Sequence, residues 1–292
     1  MTLVAGLIGA GCGVMFADSQ ETISGYAKKS VDKLSYWDTS PDRDFRFAIG
    51  GAGDSGPYID KFNFDLVGAL LGLQAGDIGD VCTELERVTL DFHKTHIWPQ
   101  GRPYHGLESL ILFQKVIPRD VESFAGGRRT SDSYLIHIAE TAVVPLVNDR
   151  SKAIGIGSYL ADYIADKLIS GTTEEPQLLA TAIYILQQVK LHVDGVGLNG
   201  MLVIFKSDGT LCEYEQESIK PFEPLMDEFN ELLRISFRNV SNANPEDSDK
   251  LLEIGKELQS IKARYSAIFD KGNTLSDGEL KKWRERLKRL GS

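Results

Sequence analysis

Apolar residues follow two kinds of pattern along most of the chain. Residues 2–8 (Thr-Leu-Val-Ala-Gly-Leu-Ile) and Val14–Ala17 are apolar runs of strand length, and the glycine-rich stretch Gly9–Gly13 between them reads as a hairpin turn. Residues 44–49 alternate and predict another strand, ending at Gly50-Gly51-Ala52-Gly53. Helical periodicity then takes over at 58–73 and 78–97; in the second stretch Val81, Leu85, Val88 and Phe92 recur at helical spacing. Buried-looking strand runs follow at Leu110–Ile117, Tyr134–Ile138 and Ala153–Ile156, and two helices at about 158–170 and 176–192, the second opened by Glu175-Pro176. Met201–Phe205 and Thr210–Tyr214 flank Ser207-Asp208-Gly209, a hairpin turn signal. Strands, two helices, strands, two helices, strands is an α+β order. It suits a four-layer αββα sandwich, with two sheets face to face and a helix pair outside each.

Strand signals stop near residue 215, so the expected division is a domain over 1–214 and a helical extension over 215–292. Asn244-Pro245-Glu246-Asp247 is a helix start with a cap, a proline and early acids. Leu251, Ile254, Leu258, Ile261, Tyr265 and Ile268 then alternate steps of three and four, a narrow apolar seam of the kind that packs one helix on another. A last helix is expected from Ser276, with Glu279 completing a capping box and Leu280, Trp283, Leu287 and Leu290 on one face opposite a Lys- and Arg-rich one. Such a face suits either a docked terminal helix or an acidic partner or membrane surface.

Composition narrows the function classes. The 292-residue chain carries a net charge of −10, which makes nucleic acid an unfavourable partner. Its 42% apolar and 25% charged residues are ordinary for a globular protein. Cys12, Cys82 and Cys212 are odd in number and far apart, so neither a disulfide framework nor a zinc cluster is expected, and a reducing cytoplasm fits. No apolar run reaches the ~18 residues that span a bilayer, and the apolar start lacks the basic region of a signal peptide.

Several motifs compete for the chemistry. Gly9-Ala10-Gly11-Cys12-Gly13 after an apolar strand has part of a dinucleotide fingerprint, but the third glycine would fall at Val14 and no helical face follows. His93 and His96 stand one helical turn apart with His105 nearby, yet no further ligand is placed with them, and no metal is expected. No G-x-S-x-G elbow occurs. Thr2 is a different kind of candidate. A threonine at the start of a mature chain is a complete nucleophile–base unit: its hydroxyl attacks a carbonyl and its own α-amine takes the proton. Methionine is generally excised before a small residue, so Thr2 would be exposed by loss of Met1.

The residues that follow Thr2 carry a resemblance. Thr2-Leu-Val-Ala-Gly-Leu-Ile, a glycine turn, Val14-Met-Phe-Ala-Asp18-Ser19, Ser24-Gly-Tyr26 and Val31-Asp-Lys33-Leu34 together resemble the opening of a proteasome β subunit, an N-terminal nucleophile (Ntn) hydrolase. Ala48-Ile-Gly50-Gly51-Ala-Gly-Asp54 looks like that family's glycine segment, Ala153-Ile-Gly155-Ile-Gly157-Ser158 like the turn that opens its third helix, and Val193-Asp194-Gly195 like its aspartate segment. The likeness is diffuse, colinear and spans about residues 2–214.

The resemblance implies catalytic roles for Thr2, Asp18, Lys33, Gly50 and Asp194. Thr2 Oγ is then the nucleophile, Lys33 held by Asp18 supplies positive charge beside it, and the Gly50 backbone N–H donates to the oxyanion. Two positions depart from the pattern: Ile156 and Gly197 stand where the family has serines that hydrogen-bond the amine and the catalytic water. The expectation is a cytoplasmic, cofactor-free hydrolase of peptide or amide bonds, assembled as a homo-oligomer, by analogy a ring. The alternative is an inactive ring or scaffold protein with a partner-binding helical tail.

Overall fold

The computed structural model describes residues 3–23, 27–30, 33–39, 43–74, 77–100, 106–116, 131–139, 144, 146–197, 199–241 and 247–271. Thr2, His105, the capping residues 244–246 and the helix expected from Ser276 lie outside them. The chain divides into two compact units, Met1–Glu215 and Gln216–Ser292.

The first unit holds two antiparallel sheets. In chain order its main strands are β1 (Leu3–Ile8), β2 (Gly13–Asp18), the short pair β3 (Gln20–Ile23) and β4 (Ala27–Ser30), β5 (Leu34–Asp38), β6 (Phe45–Ala52), β7 (Glu108–Lys115), β8 (Asp132–Ile138), β9 (Ser151–Gly155), β10 (Gly200–Phe205) and β11 (Leu211–Tyr214). One sheet has the order β11-β10-β2-β1-β9 and the other β5-β6-β7-β8; β3 and β4 pair with each other. The Gly9–Gly13 stretch is therefore the turn of the β1–β2 hairpin, with Gly11 at φ 69, and not the strand-to-helix turn a dinucleotide site requires.

Strands β2 and β6 are buried along their whole length, which marks sheets covered on both faces. Between the two sheets, Val4, Met15, Ala17 and Val203 of the first meet Leu34, Ala48, Leu110, Leu112 and Leu135 of the second in one apolar cluster. On its other face the second sheet packs Phe45, Phe47, Ile111 and Phe113 against Phe62, Leu66 and Leu70 of helix α1 (Gly56–Gly72) and Val81, Leu85 and Phe92 of helix α2 (Ile78–Phe92). Helix α3 (Ser158–Leu168) contacts β9 and β1, and α4 (Glu175–His192) contacts β2 and β1. Asp77 caps α2 by accepting the amides of Gly79 and Asp80, and a capping box of Glu174 and Gln177 opens α4. Past Phe92 the helix widens into a π-turn, His93–Ile97, and both His93 and His96 lie against the Phe92 ring.

The end of the sheet pair away from Leu3 is tied by Arg46, which is fully buried on β6. Its Nε donates to Gln114 Oε1 at 2.7 Å, Nη1 to the Gly209 carbonyl at 2.6 Å and Nη2 to the Lys206 carbonyl at 3.1 Å, and the guanidinium lies 5.1 Å from the centre of the Phe205 ring. Gln114 in turn donates to Ser131 and Ser133 hydroxyls and to the Gly11 carbonyl. The guanidinium thus joins the second sheet to the β10–β11 turn, and through Gln114 to the β1–β2 turn. Burial pushes its pKa down from the ordinary arginine value.

The second unit comprises α5 (Gln216–Ile219), α6 (Glu223–Ser241) and α7 (Asp247–Lys271). Ile254, Ile261, Tyr265 and Ile268 of α7 are buried, but Leu258 of the expected seam is 37% exposed. Leu225, Leu232 and Ile235 of α6 are buried too, and the buried Glu228 takes Arg264 Nη1 at 3.0 Å. Among the described residues, no helix is long and apolar enough to cross a membrane.

Candidate active site

Strand β1 begins where several elements meet. Leu3 is flanked by Asp18 on β2 and by Gly155 on β9, because Val4 pairs with Ala17 on one side and Leu3 with Gly155 on the other. Asp18 closes β2 with its side chain fully buried. Its Oδ1 accepts the Leu3 amide at 2.7 Å and Lys33 Nζ at 2.9 Å, and its Oδ2 accepts the Gly197 amide at 2.9 Å. The Lys33 side chain is 7% exposed. Withdrawing both charges from water is costly, and the cost is met by close pairing plus two backbone donors on the same carboxylate.

Lys33 reaches this point because it directly precedes β5, whose Leu34 pairs with Gly50 on β6. A side chain at Gly50 has no room: its Cβ would lie 2.8 Å from Val4 Cγ1, 2.9 Å from Leu34 Cδ2 and 3.0 Å from the Lys33 carbonyl oxygen. Glycine at position 50 is thus demanded by the packing of β1 and β5 against β6. The next turn, Gly155–Gly157, is equally tight. Gly155 has φ 87, and a Cβ on Gly157 would fall 2.4 Å from Val189 Cγ1. Between them Ile156 is 39% exposed.

Of the residues singled out by resemblance, then, Asp18, Lys33 and Gly50 are brought together at the start of β1. Thr2 lies outside the described residues. Asp194 sits in an exposed turn after α4, and the residue of that segment that touches Asp18 is Gly197, through its amide. Motif spacing points to Asp18 and Lys33. It gives no sign of the Leu3 and Gly197 amides, because backbone donors leave no trace in residue identity.

No protein-family model matches the sequence, and no curated protein does. Solved structures do. A Gly-1 mutant of Anbu from Hyphomicrobium sp. strain MC1 superposes with a TM-score of 0.62 over 82% of this chain and 97% of its own, at 14% identity. Anbu, an ancestral β-subunit, from Yersinia bercovieri gives 0.62 over 81% and 97%, at 13% identity. The helical assembly of the Anbu complex from Pseudomonas aeruginosa gives 0.63 over 81% and 96%, at 14%. The fold is proteasome-like. At this identity the likeness speaks for the fold alone.

Proposed function

We propose that the first unit is a four-layer αββα Ntn-hydrolase sandwich and that it hydrolyses peptide or amide bonds with Thr2, exposed by removal of Met1. The observation that carries this reading is the buried Lys33–Asp18 pair, whose carboxylate also holds the amide of Leu3, the residue bonded to Thr2. A Cα one peptide bond away is ~3.8 Å distant. Alternation along β1 places Val4 and Gly6 toward the second sheet: Val4 lies against Gly50, and Gly6 against Leu135.

In this mechanism the Thr2 α-amine takes the hydroxyl proton, Oγ attacks the scissile carbonyl, and the amide nitrogen leaves with that proton. Water then releases the acyl group from Thr2. The Lys33 ammonium favours the developing alkoxide, Asp18 keeps the ammonium in place, and the Gly50 amide donates to the oxyanion. Asp194 acts, if its turn closes on the amine, as an outer hydrogen-bond partner. The chain works in the cytoplasm without a cofactor and as a homo-oligomer, the Anbu assembly being the precedent among proteins of this fold.

Incubation with a peptide epoxyketone or β-lactone, followed by mass mapping, tests the reading. An adduct on Thr2 with Met1 absent is expected, together with loss of turnover in Thr2→Ala and a drop of at least ~100-fold in Lys33→Ala. Retained Met1, or turnover indifferent to Thr2→Ala, sinks it. In that event the scaffold reading takes over, which Ile156 in place of a hydroxyl favours.

A further inference from the structure

Several glycines of the first unit stand where a neighbour leaves no room. A Cβ on Gly13, Gly51 or Gly200 would fall 2.7 Å, 2.4 Å or 2.5 Å from a side-chain atom. Gly68 and Gly72, one turn apart on α1, are different. A Cβ on either meets no described neighbour within 4 Å, and neither has a positive φ. Glycine in mid-helix weakens the helix, so a glycine at 68 without a packing or backbone need leaves space for something outside α1. That space is a groove of about 620 Å³ between α1 and α2. Gly68, Ala69 and Gly72 line it from α1, Val88 and Phe92 from α2, and Asp65, Glu84, Arg87 and Asp91 border it. Phe64, one turn before Gly68, is 74% exposed. The charge here is negative: α1 and α2 hold six carboxylates against two cations. Arg87 is already engaged, its Nη2 donating to Glu84 Oε1 at 2.6 Å and its Nη1 to Asp91 Oδ2 at 3.1 Å. A floor of small side chains under an acidic border suits a helix with large apolar side chains on one face and cations on the other.

We propose that this groove binds the C-terminal segment 276–290 of a second copy of the chain. The segment has that chemistry in its sequence. Leu280, Trp283, Leu287 and Leu290 fall on one helical face, and the segment carries six Lys or Arg residues against three acids. As a helix, Leu280 to Leu290 is about 15 Å long, and the border of the groove on α1, Asp65 to Leu73, about 12 Å. Each copy has a net charge of −10 and repels the next. A basic segment meeting acidic helices replaces that repulsion with local attraction and fixes the orientation of approach. Groove and segment are different parts of the chain, so the contact is heterologous: every copy offers one of each, and copies join head to tail into a ring or a filament. The inference deepens the homo-oligomer reading by naming its contact, and it stands apart from the chemistry at Thr2.

Light scattering on size-separated full-length variants tests it. The wild-type chain is expected to be an oligomer. Gly68→Leu fills the groove at a point where a side chain has room, and Trp283→Asp removes the aromatic anchor of the segment. Each should be a monomer with the far-ultraviolet circular dichroism of a folded chain. The decisive arm mixes the two. The first variant has an intact segment and a blocked groove, the second an intact groove and a failed segment, so together they can make one good contact. The mixture should contain a heterodimer of twice the monomer mass and nothing larger. If Gly68→Leu does not fold, Gly72→Leu replaces it, since a Cβ there has the same room, and Leu287→Asp replaces Trp283→Asp on the same ground. Either single variant keeping the wild-type mass, or a mixture that stays monomeric, overturns this inference alone. A monomeric wild-type chain overturns the homo-oligomer reading and this inference with it.

Discussion

Two buried side chains show how differently a polar atom can be accommodated. Asp18 is surrounded by donors, so its charge is an asset to the fold. Cys12 has no such company. Burial raises its thiol pKa to about 11, with Glu175 adding to the effect. The unfolded thiol titrates near 9.0, so this contribution to stability is complete below pH 9 and is lost as pH rises toward about 11. A two-unit shift corresponds to about 3 kcal/mol. Urea midpoints measured at pH 8 and 10.5 should fall more for the wild type than for Cys12→Ala; equal falls would show that the tyrosines dominate alkaline unfolding. At the acid end the sign reverses. The depressed Glu108 stabilises above the unfolded glutamate pKa, and that contribution disappears as pH falls through its folded value. Neither effect is visible in the sequence, where Cys12 is one residue of a glycine turn and Glu108 one acid among many. Asp18 and Lys33 are legible there because their distances from Thr2 along the chain form a pattern. Glu108 and His137 have no such spacing, since it is the pairing of β7 with β8 that brings them together.

Elements are legible where one face is polar or a turn is marked. The hairpins around Gly11 and Gly209 fall where glycine signals put them, and both glycines have positive φ. Strand β6 runs past Gly50, where the glycine cluster predicts its end, and continues to Ala52, with Gly50 opposite Leu110 and Gly51 opposite Ser109. The glycines that look like a stop are the ones that let β1 and α1 approach: a Cβ on Gly51 would lie 2.4 Å from Ile59 Cγ2. Strand β5 and the β3–β4 pair escape a reading of the sequence because short edge segments with polar residues carry a weak period-2 signal, and α6 escapes it although Pro224 sits in its first turn. Arg46 argues against a buried strand on composition, but five hydrogen-bond donors in one plane let it serve carbonyls of a turn in the other sheet. Arg46→Met should leave the Lys206 and Gly209 carbonyls without that donor and cost roughly 2–4 kcal/mol. The loss should appear as a lower urea midpoint, with Arg46→Lys intermediate because one ammonium cannot replace the fork. A midpoint within experimental scatter of wild type would mean that water serves those carbonyls equally well.

At the scale of the whole chain, one compact unit ends at Glu215 and the other begins at Gln216. In the first unit β11 closes its sheet by pairing with β10, and among the described residues the apolar clusters on both faces of the second sheet are drawn from positions before 215. A chain cut after Glu215 therefore keeps every strand of the described residues and exposes no ladder in the middle of either sheet. In the second unit, the Glu228–Arg264 pair and the contact of Phe222 with Tyr265, whose rings are 5.2 Å apart, hold α6, α7 and the turn before them to one another. Each unit thus has internal contacts of its own, as expected of parts that fold separately. The cut chain should keep a single cooperative unfolding transition, with a smaller m-value in proportion to the surface removed. If Thr2 is the nucleophile, the cut chain should also keep its reaction with a β-lactone, because every residue assigned to the site precedes the cut. Its mass in solution is the informative variable: a fall to monomer with labelling intact assigns assembly to the helical unit, whereas unchanged size assigns it to the sheets and their helices. Loss of the cooperative transition would place the helical unit within the core of the first and move the boundary drawn here.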